Sequence, residues 1–343
     1  MKKVLAVLLA ALMLVAFAAC GGSGDTTTTT DASTTTDANT TTDANTTTDA
    51  AKVYTVGICQ LVQHDALDAA TEGFKKALIA ELGEANVKFE YQNASNDPGA
   101  CATIVNKFVS DKVDLIMANA TPALQSAVAA TKEIPILGTS VTEYGVALEI
   151  DNFTGVVGGN VSGTSDLAPL DQQAQMILDL VPDAKTVGLL YCSAEPNSAY
   201  QVKKVKDYLE GKGLTVKDYP FSDSNDIAAV TTSATQNCDA IYIPTDNTAA
   251  SSTGIIDGIC RPAKIPVIAG EAGICSGCGI ATLSISYEKL GEVTGKMAAQ
   301  ILKGEADIST MQVQYDQDVA KMYNKEICDE LGITIPEGYT ALS

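Results

Sequence analysis

Residues 239–247, Asp-Ala-Ile-Tyr-Ile-Pro-Thr-Asp-Asn, decide the fold that we expect for this chain. Ala240 to Ile243 form a short apolar run, rich in residues that favour β-structure, and Pro244 ends it. This pattern predicts a buried parallel strand. The polar loop that follows leads into a predicted helix over residues 248–260 with Asn247 as a candidate N-cap, Thr248 being the other. Open α/β sheets bind ligands where a strand, a polar loop and a helix N-terminus follow one another in this order.

The same order occurs upstream, in residues 114–123, Asp-Leu-Ile-Met-Ala-Asn-Ala-Thr-Pro-Ala. Counted from Asp114 and Asp239, Thr121 corresponds to Asp246. The chain is therefore expected to form two similar lobes, each with a polar loop at a strand end. A small molecule would bind between the two loops.

Strands and helices alternate regularly around these two stretches, which is typical of parallel sheets with helices on both faces. We expect the α/β class, with two Rossmann-like lobes joined by a hinge. Residues 52–165 and 284–316 would form the N-terminal lobe, and residues 166–283 and 317–343 the C-terminal lobe. The crossings are placed near Gly163 and Ser284, because glycine-rich segments tolerate large backbone rotations.

Composition excludes several classes of function. The chain has 343 residues and a formal net charge of −20, which argues against nucleic-acid binding. Arg261 is its only arginine and His64 its only histidine, so a clamp of several arginines for phosphate or a zinc site of several imidazoles cannot be built. The glycine-rich loops that bind dinucleotides or nucleoside triphosphates are absent from the sequence. We expect no cofactor, no metal and no catalysis.

The first residues predict export. Lys2 and Lys3 precede an apolar run that is short for a membrane span. Ala18-Ala19-Cys20-Gly21 then resembles the lipobox of bacterial lipoproteins, with Phe17 where leucine is usual. This predicts a leader over residues 1–20, lipidation of Cys20 and attachment to the membrane; the alternative is a soluble secretory signal. Residues 21–51 repeat Thr, Asp and Ala with almost no apolar side chains, and predict a disordered tether with a reach on the order of 30 Å.

An ordered set of short motifs resembles the substrate-binding proteins of ABC transporters, of the tryptophan/tyrosine type. These lipoproteins have a fold like that of type I periplasmic binding proteins. The motifs extend over residues 53–335 and include Gln63-His64-Asp65-Ala66-Leu67, Ala120-Thr121-Pro122-Ala123, Asn160-Val161-Ser162-Gly163-Thr164-Ser165-Asp166, Glu195-Pro196-Asn197-Ser198 and Pro244-Thr245-Asp246-Asn247. In the first of these the family usually has His-Pro-Ala-Leu.

This resemblance implies a monomeric extracytoplasmic protein that captures a small solute in the cleft between two lobes. An amino acid, aromatic ones above all, is the expected ligand, and an ABC permease with its ATPase the expected partner. The alternative is a sensor module of the same fold that reports to a membrane receptor without transport.

A free amino acid needs an anion for its ammonium group and donors for its carboxylate. Asp246 is the candidate anion; the alternative is that it only caps the next helix. The candidates for the carboxylate, each of which is otherwise an ordinary capping residue, are Thr121, Ser140, Thr142, Asn197 and Ser198. Asn247 is a further candidate ligand contact.

Three further residues have two interpretations each. His64 either contacts the ligand or is a solvated residue at a helix start. Asp166 makes either a hinge contact or a ligand contact. Glu195 either closes the cleft or is solvated surface.

Eight cysteines follow Cys20, and Cys275 and Cys278 are the one close pair. In an exported protein an even number suggests disulfides. Most of the cysteines nevertheless lie in apolar strand or helix contexts, as small buried hydrophobic residues do. We expect a local disulfide or free thiols at Cys275 and Cys278. A redox site is the remaining alternative.

Overall fold

The computed structural model of the protein describes residues 52–316 and 318–342. The predicted leader, the lipidation site at Cys20 and the tether over residues 21–51 lie outside the described residues. Within the described ranges, no helix combines the length and apolar character that crossing a membrane requires.

The first lobe is built on a six-stranded sheet in which all paired strands are parallel. Its strands lie in the order β11, β5, β4, β3, β1, β2. The first-lobe elements before the first crossing are β1 (Tyr54–Gln60), α1 (Asp65–Leu82), β2 (Val87–Asn93), α2 (Pro98–Asp111), β3 (Leu115–Asn119), α3 (Thr121–Ala130), β4 (Ile136–Val141), α4 (Tyr144–Ala147) and β5 (Val161–Ser165). Strand β3 is buried along its whole length, as its apolar sequence predicts.

The second lobe is built on a seven-stranded sheet with the order β13, β12, β10, β9, β8, β6, β7. Its elements before the chain returns to the first lobe are α5 (Leu170–Leu180), β6 (Thr186–Cys192), α6 (Pro196–Gly211), β7 (Thr215–Phe221), α7 (Ile227–Thr235), β8 (Ala240–Ile243), α8 (Asn247–Ala250), α9 (Thr253–Ala263), β9 (Val267–Ala269), α10 (Ala272–Cys278) and β10 (Ala281–Ser284). The last elements of the chain are α11 (Tyr287–Leu302), β11 (Gln314–Tyr315), β12 (Ala320–Tyr323), α12 (Lys325–Leu331) and β13 (Thr340–Ala341).

Both lobes repeat one topology. In the first, the central strand order is β2-β1-β3-β4-β5, and in the second it is β7-β6-β8-β9-β10. This is the doubly wound arrangement. The direction in which successive strands are added to the sheet reverses beside the first strand of each lobe, and ligands bind at that point, at the carboxyl ends of the strands. The prediction of two similar α/β lobes is confirmed.

Three segments connect the sheets. The chain leaves the first sheet after Ser165, returns to the first lobe after Ser284 and leaves it again after Tyr315. The long helix α11 then packs on α1 with almost no side chain between the two backbones. A Cβ atom on Gly291 would lie 2.0 Å from the carbonyl oxygen of Ala70, and a Cβ on Gly73 would lie 2.1 Å from that of Glu288. These glycines fix α11 to the first lobe.

The structure departs from the sequence prediction in four details. The expected helix over residues 248–260 is two helices, α8 and α9, separated at Ser251 and Ser252. The glycine-rich segment before Asp166 contains strand β5. The pair Cys275 and Cys278 lies in a short helix, α10. The second sheet is not wholly parallel, because β12 pairs with β10 in the antiparallel direction.

Candidate functional site

A narrow cavity of about 10 Å³ lies between the two lobes, at the carboxyl ends of their strands. We call it the inner cavity. The first lobe and the start of α11 contribute His64, Leu67, Ser140, Thr142 and Tyr287, and Asp166 follows directly after β5. The second lobe contributes Asn197, Thr245, Asp246, Asn247, Ala250 and Glu271. This volume has room for about one water molecule, so a larger guest enters only when the lobes move apart.

A second, more open hollow, which we call the vestibule, adjoins the inner cavity. Three residues line both spaces: His64, Ala250 and Glu271. The other walls of the vestibule are polar, with Gln63, Asp65, Ser251, Thr253 and Ser276 among them. The two spaces therefore adjoin at the end where His64 lies, whereas Ser140, Thr142 and Asp166 line the inner cavity alone.

Unpaired polar atoms converge on the inner cavity. Among the described residues, eight buried side-chain nitrogen or oxygen atoms have no hydrogen-bond partner, and four of them belong to residues that line this cavity. They are His64 Nδ1, Ser140 Oγ, Asp166 Oδ1 and Asn197 Oδ1. Buried polar groups are nearly always paired, and an unpaired group costs about 1–3 kcal/mol. Their convergence indicates a place where a polar ligand supplies the missing partners.

Ser140 reaches the cavity through a local distortion of β4. Against β5, Gly138 is opposite Gly163 but Val141 is opposite Ser165, so β4 has one extra residue at this point. Ser140 takes the left-handed conformation, with φ of 53°, which is unfavourable for a residue other than glycine. Bulges of this kind are common next to binding sites, where they redirect a side chain.

Asp166 is a buried carboxylate with one oxygen free. Its Oδ2 atom accepts a hydrogen bond of 2.9 Å from the Tyr287 hydroxyl, while Oδ1 has no partner. Burial raises the pKa of this carboxyl, and the hydroxyl groups of Tyr287 and Thr142 act in the opposite direction. Asp166 lies at a crossing between the lobes and also lines the cavity, so the hinge contact and the ligand contact both stay predictions.

Asp246 lines the cavity, but its carboxylate is engaged in holding the second lobe together. Its Oδ1 atom accepts from the backbone N–H of Ala249 at 2.8 Å, and its Oδ2 atom from that of Cys192 at 2.7 Å. The residue is the N-cap of α8. The capping alternative to an ammonium partner is therefore what the structure supports for Asp246.

Three of the predicted contacts do not line the cavity. Glu195 is buried and accepts from the backbone N–H groups of Asn247 and Thr248 at 3.0 and 2.9 Å, so the expectation of solvated surface is wrong, and a role in closing the cleft stays a prediction. The Ser198 hydroxyl contacts the Asp246 carboxylate instead. Thr121 is buried as the first residue of α3, which packs on β3 and β4.

Two side-chain contacts join the lobes across the cleft. His64 Nε2 lies 3.3 Å from Asn247 Oδ1, and Asn96 Nδ2 donates to Thr248 Oγ1 at 3.0 Å. Asn96 stands in the left-handed conformation just before α2, with φ of 64°. His64 begins α1 without capping it through its side chain. It is mostly buried between the lobes, so the expectation of a solvated helix-start residue is wrong.

The cavity is electronegative. The carboxyl groups of Asp166, Asp246 and Glu271 line it, and of the described residues no lysine or arginine does. Burial, followed by the nearby Glu195 carboxylate, raises the pKa of Asp246 to about 8. Burial likewise raises the pKa of Glu271 to about 7, with Asp65 and Asp166 adding to the rise. A cation in this cavity would relieve the repulsion among these groups.

Five residues that line this cavity were not among the predicted site residues: Leu67, Thr245, Ala250, Glu271 and Tyr287. Glu271 follows β9 and Gly270, and its carboxylate caps α10 through the backbone N–H groups of Gly273 and Ile274. It occupies the same strand-end position as Asp246, so the rule that selected Asp246 would have found it. Tyr287 comes from the start of α11, which no local pattern assigns to a cleft.

The described cysteines are all buried free thiols, including Cys275 and Cys278. Burial raises the pKa of both thiols well above the usual value, which does not favour the reactive thiolate form. In the described ranges, no group of three or more His, Cys, Asp or Glu side chains could hold a metal ion.

The sequence matches the family described as ABC transporter substrate binding protein over residues 55–342. A tyrosine-binding protein of Clostridioides difficile (strain R20291) is 40% identical to it over 260 residues, which cover 74% of this chain and 74% of that protein.

Two solved structures are similar throughout the folded region. One is an ABC domain from Streptococcus pneumonia in complex with L-Trp, with 35% identity, a TM-score of 0.80 and coverage of 85% of this chain and 100% of that one. The other is the ligand-free, open structure of a substrate-binding protein with adhesive properties from Clostridium difficile, with 40% identity, a TM-score of 0.65 and coverage of 85% and 99%. In structure, this protein is thus more similar to the L-Trp complex than to the open protein, although the open protein has the higher sequence identity.

Proposed function

Because the chain belongs to the ABC transporter substrate-binding protein family, we propose that it captures an aromatic amino acid between its lobes and delivers it to the permease of an importer. The family consists of solute-binding proteins rather than enzymes, and its members work outside the cytoplasm. The ligand class is suggested by the tyrosine-binding relative and by the relative in complex with L-Trp.

The observation that carries this proposal is the set of four unpaired polar atoms around the inner cavity. Water alone could satisfy some of them. The set nevertheless contains both kinds of group that a zwitterion needs, a carboxylate with a free oxygen at Asp166 and a free hydroxyl at Ser140. No covalent chemistry is required of any of these residues.

We assign the ammonium group of the ligand to Asp166 and its carboxylate to the hydroxyls of Ser140 and Thr142. A buried carboxylate with one free oxygen is a suitable partner for an ammonium ion.

Binding would be coupled to closure of the lobes. The moving units are residues 52–165 with 284–316 and residues 166–283 with 317–343, and the three connecting segments serve as the hinge. The closed form would be held by the ligand and by the contacts of His64 and Asn96 with the second lobe. The greater similarity to the L-Trp complex than to the open relative agrees with a closed arrangement.

The sequence of the first 51 residues supports attachment to the membrane. Lipidation at Cys20 would anchor the protein, and the Thr- and Asp-rich tether would let the lobes reach the permease, which works with its ATPase.

Titration calorimetry of the purified protein with tyrosine, tryptophan, phenylalanine and leucine tests the proposal. The aromatic amino acids should bind with 1:1 stoichiometry and leucine more weakly. The chain contains no Trp, so the fluorescence of bound tryptophan can be followed without background from the protein. Saturation at ~100 times the dissociation constant should add about 2.7 kcal/mol to the free energy of unfolding. Absence of binding by all four amino acids would refute the proposal.

A further inference from the structure

The hydrogen-bond network around His64 determines which of its ring nitrogens carries the proton. Asn247 Nδ2 donates to Glu195 Oε2 at 2.7 Å. The two Glu195 oxygens also accept from the backbone N–H groups of Asn247 and Thr248 and from the Thr248 hydroxyl, so this carboxylate acts as an acceptor. The amide oxygen of Asn247 must therefore face His64. Since an amide oxygen only accepts, His64 Nε2 must be the protonated nitrogen that donates to it at 3.3 Å.

The other ring nitrogen is then an acceptor without a donor. In a neutral imidazole with hydrogen on Nε2, Nδ1 has only a lone pair. Nδ1 of His64 is buried and unpaired, and His64 lines the inner cavity. Burial lowers the pKa of the ring, although Asn247 and the carboxylates of Glu195, Asp68 and Asp65 act in the opposite direction. The neutral ring thus presents an acceptor that a bound ligand can satisfy only with an N–H or O–H group.

The position of His64 indicates which end of the ligand it meets. Asp166, Ser140 and Thr142 line only the inner cavity, and they are the groups to which the ammonium and carboxylate were assigned. His64 also lines the vestibule, together with Ala250 and Glu271. The far end of the ligand side chain therefore lies towards His64, where the inner cavity adjoins the polar vestibule.

We propose that His64 determines specificity by accepting a hydrogen bond at Nδ1 from the far end of the ligand side chain. The ligand class is thereby restricted to aromatic amino acids with a donor on the side chain, the phenol of tyrosine or the indole of tryptophan, in preference to phenylalanine. This inference rests on the proposed function and goes beyond it, because it names the residue and the ring nitrogen that would distinguish among these three side chains.

Tyrosine and phenylalanine form the decisive pair, because they differ only in the hydroxyl group. Phenylalanine would leave the buried acceptor unpaired, which predicts about 10- to 100-fold weaker binding than tyrosine. The substitution His64→Phe removes the acceptor and keeps an aromatic ring. In this variant, the ratio of the two dissociation constants should fall to within about threefold of one.

Asn96→Ala is the matched control. Asn96 also joins the lobes, through Thr248, but does not line the inner cavity. Its loss should weaken tyrosine and phenylalanine binding by the same factor and leave their ratio as in the unsubstituted protein. If His64→Phe likewise weakens both ligands equally and preserves the ratio, His64 contributes only to closure and the inference is wrong.

Nitrogen NMR gives an independent test, because His64 is the only histidine in the chain. With an untagged protein, the spectrum of the ligand-free form should show hydrogen on Nε2 and a bare Nδ1. Tyrosine should shift the Nδ1 resonance as expected for an accepted hydrogen bond, and phenylalanine should not. A ring with hydrogen on Nδ1, or equal shifts with both ligands, would overturn the inference.

The two proposals fail in different ways. Equal affinity for tyrosine and phenylalanine in the unsubstituted protein overturns the role of His64 while amino-acid capture stands. If none of the four amino acids in the calorimetric series binds, both proposals fall.

Discussion

Asp166 contributes to the cavity what a bound ammonium group needs, a negative charge with a free hydrogen-bonding position. Asp246 and Glu271 line the same cavity, but the oxygens of each accept from two backbone N–H groups of the second lobe. A carboxylate that is already bound to backbone N–H groups fixes the shape of the wall. One with a free oxygen can contribute to affinity as well.

The substitution Asp166→Asn tests this difference. Affinity for tyrosine should fall by about 2–5 kcal/mol, because a buried cation would lose its charged partner. Calorimetry measures the loss. Asp246→Ala is the contrasting variant, and its main effect should be a decrease of about 1–2 kcal/mol in the free energy of unfolding, since α8 would lose its N-cap. Equal affinity in the Asp166→Asn variant and the unsubstituted protein would remove Asp166 from the site.

Ser140→Gly should separate stability from binding. Glycine tolerates the positive φ at this position and removes a buried hydroxyl without a partner. The free energy of unfolding of the ligand-free protein should therefore stay the same or rise by about 1 kcal/mol. Affinity for the ligand should fall by about 1 kcal/mol, because one donor to its carboxylate is lost. Urea titration and calorimetry on the same preparation check both; a less stable protein with unchanged affinity would contradict the assigned role.

The sequence predicted the location of side chains in the cleft more accurately than their roles there. Ser140 lies near the end of a strand, and Asp166 and Asn247 come shortly after strands. The end of a strand can be recognised in the sequence as the point where an apolar run stops. The contrast between Asp166 and Asp246 depends on which backbone N–H groups lie nearby after folding. The five donors to Glu195 come partly from a loop about fifty residues away in sequence, and no local pattern carries that information.

The contact between α1 and α11 is the closest helix packing that we describe, and it depends on glycine. Gly73, Gly291 and Gly295 let the two backbones approach until there is no room for a Cβ atom. Neither helix interior would otherwise favour glycine, which lowers helix stability by roughly 0.5–1 kcal/mol relative to alanine. The close approach holds α11 on the first lobe, to which the chain has just returned from β10 of the second sheet.

Gly291→Ala should destabilise the protein by about 1–3 kcal/mol, because the new methyl group would overlap the Ala70 carbonyl oxygen. Denaturant titration measures the change. Gly258→Ala is the control, since Gly258 lies inside α9 with open space around it. That variant should be unchanged or more stable by about 0.5–1 kcal/mol. Loss of stability in the control, or none in Gly291→Ala, would refute the packing argument.

Several boundaries of helices and strands were predicted correctly, where a strong hydrophobic periodicity ends at residues that terminate such elements. The sequence predicts helices over residues 65–82, 170–180 and 287–302, and α1, α5 and α11 begin and end at these residues; β8 likewise matches its predicted strand. The split of the predicted helix over residues 248–260 into α8 and α9 was not predicted. Strand β12 was missed because this four-residue, partly exposed strand carries almost no alternating pattern.

The buried carboxyl groups should make the stability of the ligand-free protein depend on pH. The pKa values of Asp246 and Glu271 are raised to about 8 and about 7, and that of Asp166 is raised as well. An acid with a raised pKa in the folded state binds more protons when folded than when unfolded. Stability is therefore highest at low pH and falls as the pH rises through the folded values. The free energy of unfolding should decrease between about pH 5 and 8; a flat or rising profile in urea titrations would contradict this.

Ligand binding should then release protons. A bound ammonium group favours the charged form of Asp166 and its neighbours, and so lowers their pKa values. Calorimetric titration near pH 6 in buffers with different ionisation enthalpies measures the number of protons exchanged. Uptake of protons would exclude an ammonium group from this part of the cavity.

The three crossings between the lobes also affect the order in which the protein can form during synthesis from its N-terminus. The first lobe remains incomplete until α11 has been made, and by then β10 of the second lobe has already been made. The second lobe in turn needs β12 and β13, which are among the last described residues. Neither half can finish before nearly the entire polypeptide is available, so the lobes are expected to unfold and refold in a single cooperative transition, and a chain truncated after Ser284 should yield no stable half.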